Sequence, residues 1–422
     1  MSEPSSPVLI PEYRRFWLSR FVSVMATMGM IVIIGYQVYD VARADYGMSV
    51  KEAAFQLGIL GLVQFVPYFV LTPVAGLVAD RFDRRAVAAC AIGVDLLVAL
   101  GLAAVTAQGL HSLPALFALA ALHGTARVFL QPASGAIAPN IVPPALIPRA
   151  IGFNSIAWQA GSVIGPAGAG FLYAADPALP YWCASAMLLA SCIVMLTIRP
   201  LPPPPSSERR HPIRQIVDGF HFVWNERFLL GCVTLDLFAV ILGGATALLP
   251  IFARDVLHVG AEGLGQMRAA PAVGAAVVAL ALSFRPMVHN VGVKMLWGVA
   301  VFGAATLAFG FSRNFMLSMA LLVILGAADM ISVFIRSSLI QLNTPDDMRG
   351  RVTAISGLAI SASNELGELR AGFMGALLGA TGAVVFGGAG AIVVTAIWAA
   401  IFPEIRRART FEPQYRQREP VP

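Results

Sequence analysis

Residues 54–107 read AFQLGILGLVQFVPYFVLTPVAGLVADRFDRRAVAACAIGVDLLVALGLAAVTA. Two apolar runs, 54–79 and 86–107, flank a six-residue turn, Asp80-Arg81-Phe82-Asp83-Arg84-Arg85, in which five residues are charged. About 20 apolar residues span a bilayer as a helix. Each run meets that length and is apolar on every side, so the segment predicts two membrane-crossing helices joined by a charged turn. Continuous apolarity, rather than strict alternation, argues against a β-barrel.

The same pattern repeats outward from this segment. The 422 residues are 58% hydrophobic and 12% charged, with a mean hydropathy of +0.75; about 25% charged is usual in soluble domains. Further runs lie at 16–40, 113–137, 151–174, 180–198, 228–252, 262–284, 293–311, 315–340, 352–377 and 383–402. The fold class expected is an all-α membrane protein of twelve transmembrane helices. No stretch outside the runs is long enough for a soluble catalytic, nucleotide-binding or nucleic-acid-binding domain. The net charge of +6 therefore speaks of membrane orientation rather than an acidic partner.

Basic residues set the expected orientation. With the N-terminus in the cytoplasm, inner loops and tails hold 19 of the 29 Lys and Arg, and outer loops hold four, Arg43, Lys51, Arg254 and Arg313. That asymmetry predicts both termini cytoplasmic. The N-terminal residues lack a basic region ahead of a short apolar segment, so no cleaved signal peptide is expected. Cys90, Cys183, Cys192 and Cys232 all fall inside apolar runs without a C-x-x-C pair, and neither disulfide nor zinc site is expected.

Pro200-Leu201-Pro202-Pro203-Pro204-Pro205 and the following Ser206 to Arg210 form a stiff, solvated linker. Ile213, Ile216, Val217, Phe220 and Trp224 then recur at helical spacing, the pattern of an amphipathic helix on the inner surface. The chain divides into an N-terminal six-helix half (1–198), a linker with its surface helix (199–227), a C-terminal six-helix half (228–403) and a tail (404–422). An internal repeat supports the division. At a constant offset of 202, Gly124 falls on Gly326, Pro143 on Pro345, Arg149 on Arg351, Gly165 on Gly367 and Gly170 on Gly372. Parallel six-helix repeats are one plan of transporters that rock two halves about a central site.

Two motifs sharpen this. Gly76, Asp80, Arg81, Arg84 and Arg85 place a small residue and a charge network at a helix end, where it can lock and unlock as halves move; a plain basic stop signal is the simpler alternative. Gly152, Gly161, Gly165, Pro166 and Gly170, with Ala169, give span five a groove of small residues with a proline within it. The first spacing resembles motif A of the major facilitator superfamily, with Asp83 where the family usually has Gly. The second resembles its motif C, typical of exporting members, with Ala169 replacing one Gly. With the loop Gln341-Leu342-Asn343-Thr344-Pro345-Asp346-Asp347-Met348-Arg349-Gly350-Arg351, they look like the bacterial drug and siderophore exporter branch that contains the enterobactin exporter. The resemblance implies the major facilitator fold and proton-driven efflux of a small amphiphilic molecule across the bacterial inner membrane. An uptake symporter or lipid translocator on the same scaffold is the alternative.

Ionisable residues inside spans cost several kcal/mol unless paired or hydrated. Asp95, Arg127, Asp236, Arg268, Asp329, Arg336, Glu365, Glu368 and Arg370 are such residues. Glu365 and Glu368, one turn apart, are proton-coupling candidates, with Asp329 a third; alternatively Arg370 or Arg268 neutralises one of the glutamates. Arg127 and Asp329 occupy equivalent positions in the repeat, where either they contact substrate or gate, or they pair statically. Asp95 and Arg336 are further substrate or gating candidates, although Arg336 can also snorkel to the surface. Met25, Met28, Met30, Tyr36, Gln37 and Tyr39 offer a substrate wall or ordinary packing, and His123 reads as isolated from other ligands. No H-E-x-x-H, G-x-S-x-G or histidine cluster suggests an enzyme or metal site. The expected partners are a small-molecule substrate, protons and membrane lipids, with no cofactor, no metal and no nucleic acid, and the chain is expected to act as a monomer.

Overall fold

The computed structural model describes residues 6–201, 212–285, 287, 289–345 and 348–411. Pro202 to His211, Asp346, Asp347 and the tail beyond 411 lie outside the described residues, as do the side chains of Asp80, Ile213 and Ile216. The described residues are helical and contain no strand. In chain order the helices are α1 (Pro11–Ala44), α2 (Val50–Arg81), α3 (Arg84–Ala107), α4 (Leu113–Ile141), α5 (Ile147–Ala175), α6 (Leu179–Leu196) and α7 (Pro212–Asn225), then α8 (Arg227–Gly243), α9 (Leu249–Ile251), α10 (Gly260–Phe284), α11 (Val291–Phe311), α12 (Phe315–Leu342), α13 (Arg349–Ile401) and α14 (Pro403–Arg407).

Among the described residues, ten stretches are long and apolar enough to cross a membrane. Two adjustments reconcile that number with twelve. The 53-residue α13 is interrupted at Gly379, whose φ of 75° and ψ of 166° suit a residue without a side chain, so it comprises two spans. The 29-residue α5 is about 43 Å long at 1.5 Å per residue, ample for a crossing. Prolines 67, 73, 132, 139, 166 and 271 sit inside helices, which neighbouring helices in a membrane tolerate.

The seventh span departs from the sequence expectation of one run over 228–252. Helix α8 stops at Gly243, and Gly244 turns away with φ −61° and ψ 100°. A 3-10 turn at Thr246–Leu248, α9 and a π-helical turn at Phe252–Val256 follow. A Gly-Gly pair followed by Pro250 destabilises continuous helix here, a break that hydrophobicity alone cannot reveal.

Two compact units emerge, and neither is a simple sequence half. The first comprises Met1–Ser49, Ile59–Arg209 and Ala253–Ala269; the second comprises Val50–Gly58, Arg210–Phe252 and Ala270–Pro422. In the first, α1 packs on α5 and α6, and α3 packs on α4 and α6. In the second, α13 packs on α8 and α11, and α11 on α12, around a core that includes Phe228, Leu235, Met295, Val299, Ile335 and Leu339.

The repeat is expressed as matched helix crossings. A methyl placed on Gly124 of α4 would lie 2.9 Å from the Gln64 carbonyl of α2, and one on its counterpart Gly326 of α12 would collide with the Pro271 carbonyl of α10. Gly165 of α5 meets Met25 and Gly29 of α1; Gly367 of α13 meets Val240 of α8. Gly170 meets Ala261 and Gly265, whereas Gly372 meets Gly58. Small residues at equivalent positions thus bring equivalent backbones together, the usual basis of membrane helix packing.

On the surface helix α7, Phe220 and Trp224 are exposed and stacked, with centroids 5.6 Å apart. Its Gly219 abuts the start of α13, where Arg351 pairs with Asp218 at 3.7 Å.

Candidate functional site

In the first unit, α5 presents Gly161, Gly165 and Ala169 to α1. A methyl on Gly161 would sit 2.7 Å from a Val24 methyl, and one on Gly165 would strike the Met25 carbonyl. A methyl on Gly29 would lie 3.1 Å from both the Ala169 Cβ and the Gly165 carbonyl. The groove of small residues is therefore filled by the backbone of α1 around Met25–Gly29. Pro166 is buried and its carbonyl faces Gly265 of α10. Gly152 lies outside this contact, since a methyl added there would meet no neighbour within 4 Å among the described residues.

Beside the groove, α1, α5 and α6 enclose a cleft of ≈ 230 Å³ lined by residues that include Met25, Met30, Ile33, Tyr181 and Met187. Its polarizable, apolar walls suit an amphiphile. The span-one residues that read as either a substrate wall or ordinary packing divide between the two. Met25 and Met30 do line the cleft, but Tyr36 packs edge-on to Tyr173 at 5.5 Å. Gln37 is held between Thr106 at 2.8 Å and the Tyr181 hydroxyl at 2.7 Å, and Tyr39 donates to Asp255.

That last contact belongs to an ion-pair cluster at the end of α1. Arg254 pairs with Asp40 at 2.5 Å, Arg43 lies 3.7 Å from Asp255, and nearby His111 meets Asp45 at 2.6 Å. Connectivity places the α2–α3 turn at the opposite end of the unit. There Gly76 has no neighbour within 4 Å of an added methyl among the described residues. The close helix approach expected at Gly76 is therefore not found. Asp83, which stands where the resembled motif usually has Gly, caps α3 by accepting from the Arg85 amide at 3.0 Å and also accepts from Leu201 at 3.3 Å. Arg85 lies 3.3 Å from its carboxylate and donates to the Ile198 carbonyl at 2.8 Å; Arg84 reaches the Ala79 carbonyl at 3.4 Å. Arg81 is exposed.

The embedded charges fall into groups that the linear sequence does not display. Asp95 of α3, only 1% exposed, receives His123 Nδ1 of α4 at 2.6 Å and the Thr27 hydroxyl of α1 at 3.2 Å. His123, expected to be isolated, is fully buried against this acid. Arg127, one turn further along α4, is half-buried.

In the second unit Arg336 does not snorkel. It is 3% exposed and forms an ion pair with Asp236 of α8. Asp329, two turns before Arg336 on α12, lines a small cavity with Asp236, Val299, Phe302 and Ser332. On α13, Glu365 is buried and Glu368 half-buried one turn later. Arg370 donates to the Gly244 carbonyl at 3.4 Å, the acceptor freed where α8 breaks, and Gly387 leaves room for its guanidinium. Arg268 on α10 is half-buried. His123 and Asp236 are the buried, paired groups that sequence reasoning undervalued. Their signal was simply that each is ionisable within an apolar run, where an unpaired group is costly.

Twelve spans among the described residues, in matched sets of six and carrying buried charges and an apolar cleft, define a polytopic membrane carrier. Residues 16–368 match the family model of the Major Facilitator Superfamily, and the chain belongs to that family of transporters. It is 26% identical over 417 residues to the enterobactin exporter EntS of Citrobacter koseri, covering 98% of this chain and 95% of that protein. The EntS of Escherichia coli is 26% identical over 409 residues, covering 96% and 95%. The fold is similar to that of a bacterial homolog of the human lysosomal transporter Spinster in an inward-facing, unoccupied conformation: TM-score 0.68, 15% identity, 94% of this chain and 97% of that one. It is also similar to a POT family transporter in complex with 5-aminolevulinic acid: TM-score 0.70, 12% identity, 93% and 96% covered.

Proposed function

We propose that this transporter is a secondary active exporter of the bacterial inner membrane, driven by proton exchange and carrying a small amphiphilic molecule of siderophore-like or drug-like character. The observation that carries the reading is the seating of α1 in the α5 groove at Gly161 and Gly165, the motif that the resemblance associates with export. Similarity to enterobactin exporters along almost the whole chain supports the same direction, and the methionine-lined cleft supports an amphiphilic cargo. Both termini and the linker face the cytoplasm in this reading, as the basic asymmetry requires. The halves 1–198 and 228–403 move against each other, with 199–227 as their tether and 404–422 as a cytoplasmic tail, and the carrier acts as a monomer.

Coupling is assigned to the carboxylates. Glu365 and Glu368 lie close enough on α13 to influence each other's proton affinity, and Asp329 lines a cavity beside an ion pair. Arg127 is assigned to an anionic part of the substrate, and the arginines of the α2–α3 turn to a cytoplasmic latch.

Everted membrane vesicles test this directly. With enterobactin and a lipophilic cationic dye as probes, energised vesicles that contain the protein accumulate at least one probe faster than vesicles without it. Accumulation only in right-side-out vesicles would instead establish the uptake symporter.

A further inference from the structure

One buried group stands outside the coupling scheme above. Asp95 and His123 meet at 2.6 Å across α3 and α4, 1% and 0% exposed. With Asp95 ionised, its carboxylate only accepts hydrogen bonds, and His123 Nδ1 then carries the hydrogen it offers to Asp95. In the neutral ring Nε2 is then a bare acceptor. It is buried and has no hydrogen-bond partner among the described residues. In that state the pair carries one negative charge within a span and becomes neutral on gaining one proton at Nε2, which removes the cost of a net charge in an apolar surrounding.

The surrounding elements leave this proton uptake to the pair itself. Helix α6 carries no Asp, Glu, Lys, Arg or His; its titratable groups are Tyr181, Cys183 and Cys192. On α2 the nearby Gln64 is an uncharged amide behind Gly124, and the charges Lys51, Glu52, Asp80 and Arg81 lie at that helix's ends. Helix α3 has Arg84 and Arg85 at its start. Helix α1 has Arg20, which lies over the Trp158 ring at 5.9 Å, two turns before Thr27. The remaining α1 charges are Glu12, Arg14 and Arg15 at one end and Asp40 and Arg43 at the other. Arg127 follows one turn beyond His123 on α4.

Thr27 connects the pair to movement. Its hydroxyl donates to Asp95 at 3.2 Å, and it lies between Met25 and Gly29, the α1 residues gripped by Gly165 of α5. We propose that Asp95 and His123 form a second proton-binding site, whose occupancy sets how α1 seats in the α5 groove through Thr27. An added proton weakens the carboxylate as an acceptor for Thr27 and so loosens α1 at the motif C contact. This rests on the proton-coupled reading for its role in transport, but the proton site itself does not.

The test is a titration of the full-length protein in nanodiscs with ¹⁵N-labelled histidine, the His123 signals being assigned by their loss in His123→Gln. The imidazole should change protonation between pH 5 and 9, and Asp95→Asn should move its midpoint by at least about one pH unit, tenfold in proton affinity. Asp95→Glu, which keeps the charge, should restore a titration close to wild type and guards against a folding defect in Asp95→Asn. Thr27→Val should leave His123 titrating while abolishing the pH dependence of probe transport in vesicles. A His123 ring whose protonation is constant over this range, or whose midpoint ignores Asp95→Asn, overturns the proposal. Gradient-driven transport with a silent His123 refutes this site alone; a titrating pair in a protein that never transports with a gradient refutes the coupling reading alone.

Discussion

Replacing Asp236 by Asn leaves the Arg336 guanidinium buried without its counter-ion. Arg336 is 3% exposed and Asp236 7%, so little water is available to compensate either one. Removing one partner of such a pair costs about 3–5 kcal/mol, and insertion scales put an arginine at mid-membrane at about 2.5–3.5 kcal/mol. We expect about 3 kcal/mol, on the order of a hundredfold in the folding equilibrium. The opposite variant, Arg336→Met, should cost less, because a stranded carboxylate can take up a proton whereas a guanidinium stays charged. The double variant Asp236→Leu/Arg336→Met should return to within about 1 kcal/mol of wild type, since apolar residues often replace a buried pair at no net cost. Asp329 lies two turns from Arg336 on the same helix and lines the same cavity as Asp236, so it can substitute as counter-ion. The measurement is therefore an unfolding titration in mixed micelles, repeated in an Asp329→Asn background. A wild-type midpoint for Asp236→Asn in both backgrounds would refute the argument that this pair is buried and mutually dependent.

Three further outcomes follow. Gly165→Leu forces a branched side chain into the Met25 carbonyl and the Gly29 amide; transport should fall at least tenfold while expression and membrane insertion, read by fluorescence-detected size exclusion, persist. Reporter fusions at Ser207 and at the tail beyond Phe411 should both report cytoplasm, and a periplasmic signal from either would overturn the topology. Glu365→Gln and Glu368→Gln should abolish uphill transport in everted vesicles yet leave downhill probe exchange measurable; if both variants pump normally and only Asp329→Asn uncouples, the coupling proton belongs to α12.

The twelve-helix plan was legible because a span announces itself by length and apolarity, which are local properties. The repeat was legible for a related reason: Gly124, Gly165 and Gly170 recur at one offset, and their counterparts occupy the same helix crossings. Interruptions were less visible. The Gly243-Gly244 break in α8 lies within an apolar run whose hydropathy does not register backbone geometry, and Gly76 matches a motif without marking a tight crossing in this conformation. Charge partners were the least legible. Sequence spacing pairs residues along one helix, such as Glu365 with Glu368, but says nothing about Asp95 with His123 or Asp236 with Arg336, whose partners lie on different helices. Asp83 shows the same limit at a helix end, where a charge that departs from the resembled motif serves as an N-cap.

The proposed uphill, proton-driven export can be read in a reconstituted system. The purified chain in proteoliposomes with an acid lumen and a neutral exterior, supplied with enterobactin or the lipophilic dye, should raise the free internal probe above the external concentration. That excess should collapse when a K⁺/H⁺ exchanger dissipates the pH gradient. Equal probe concentrations on the two sides, or accumulation indifferent to the gradient, would contradict the account.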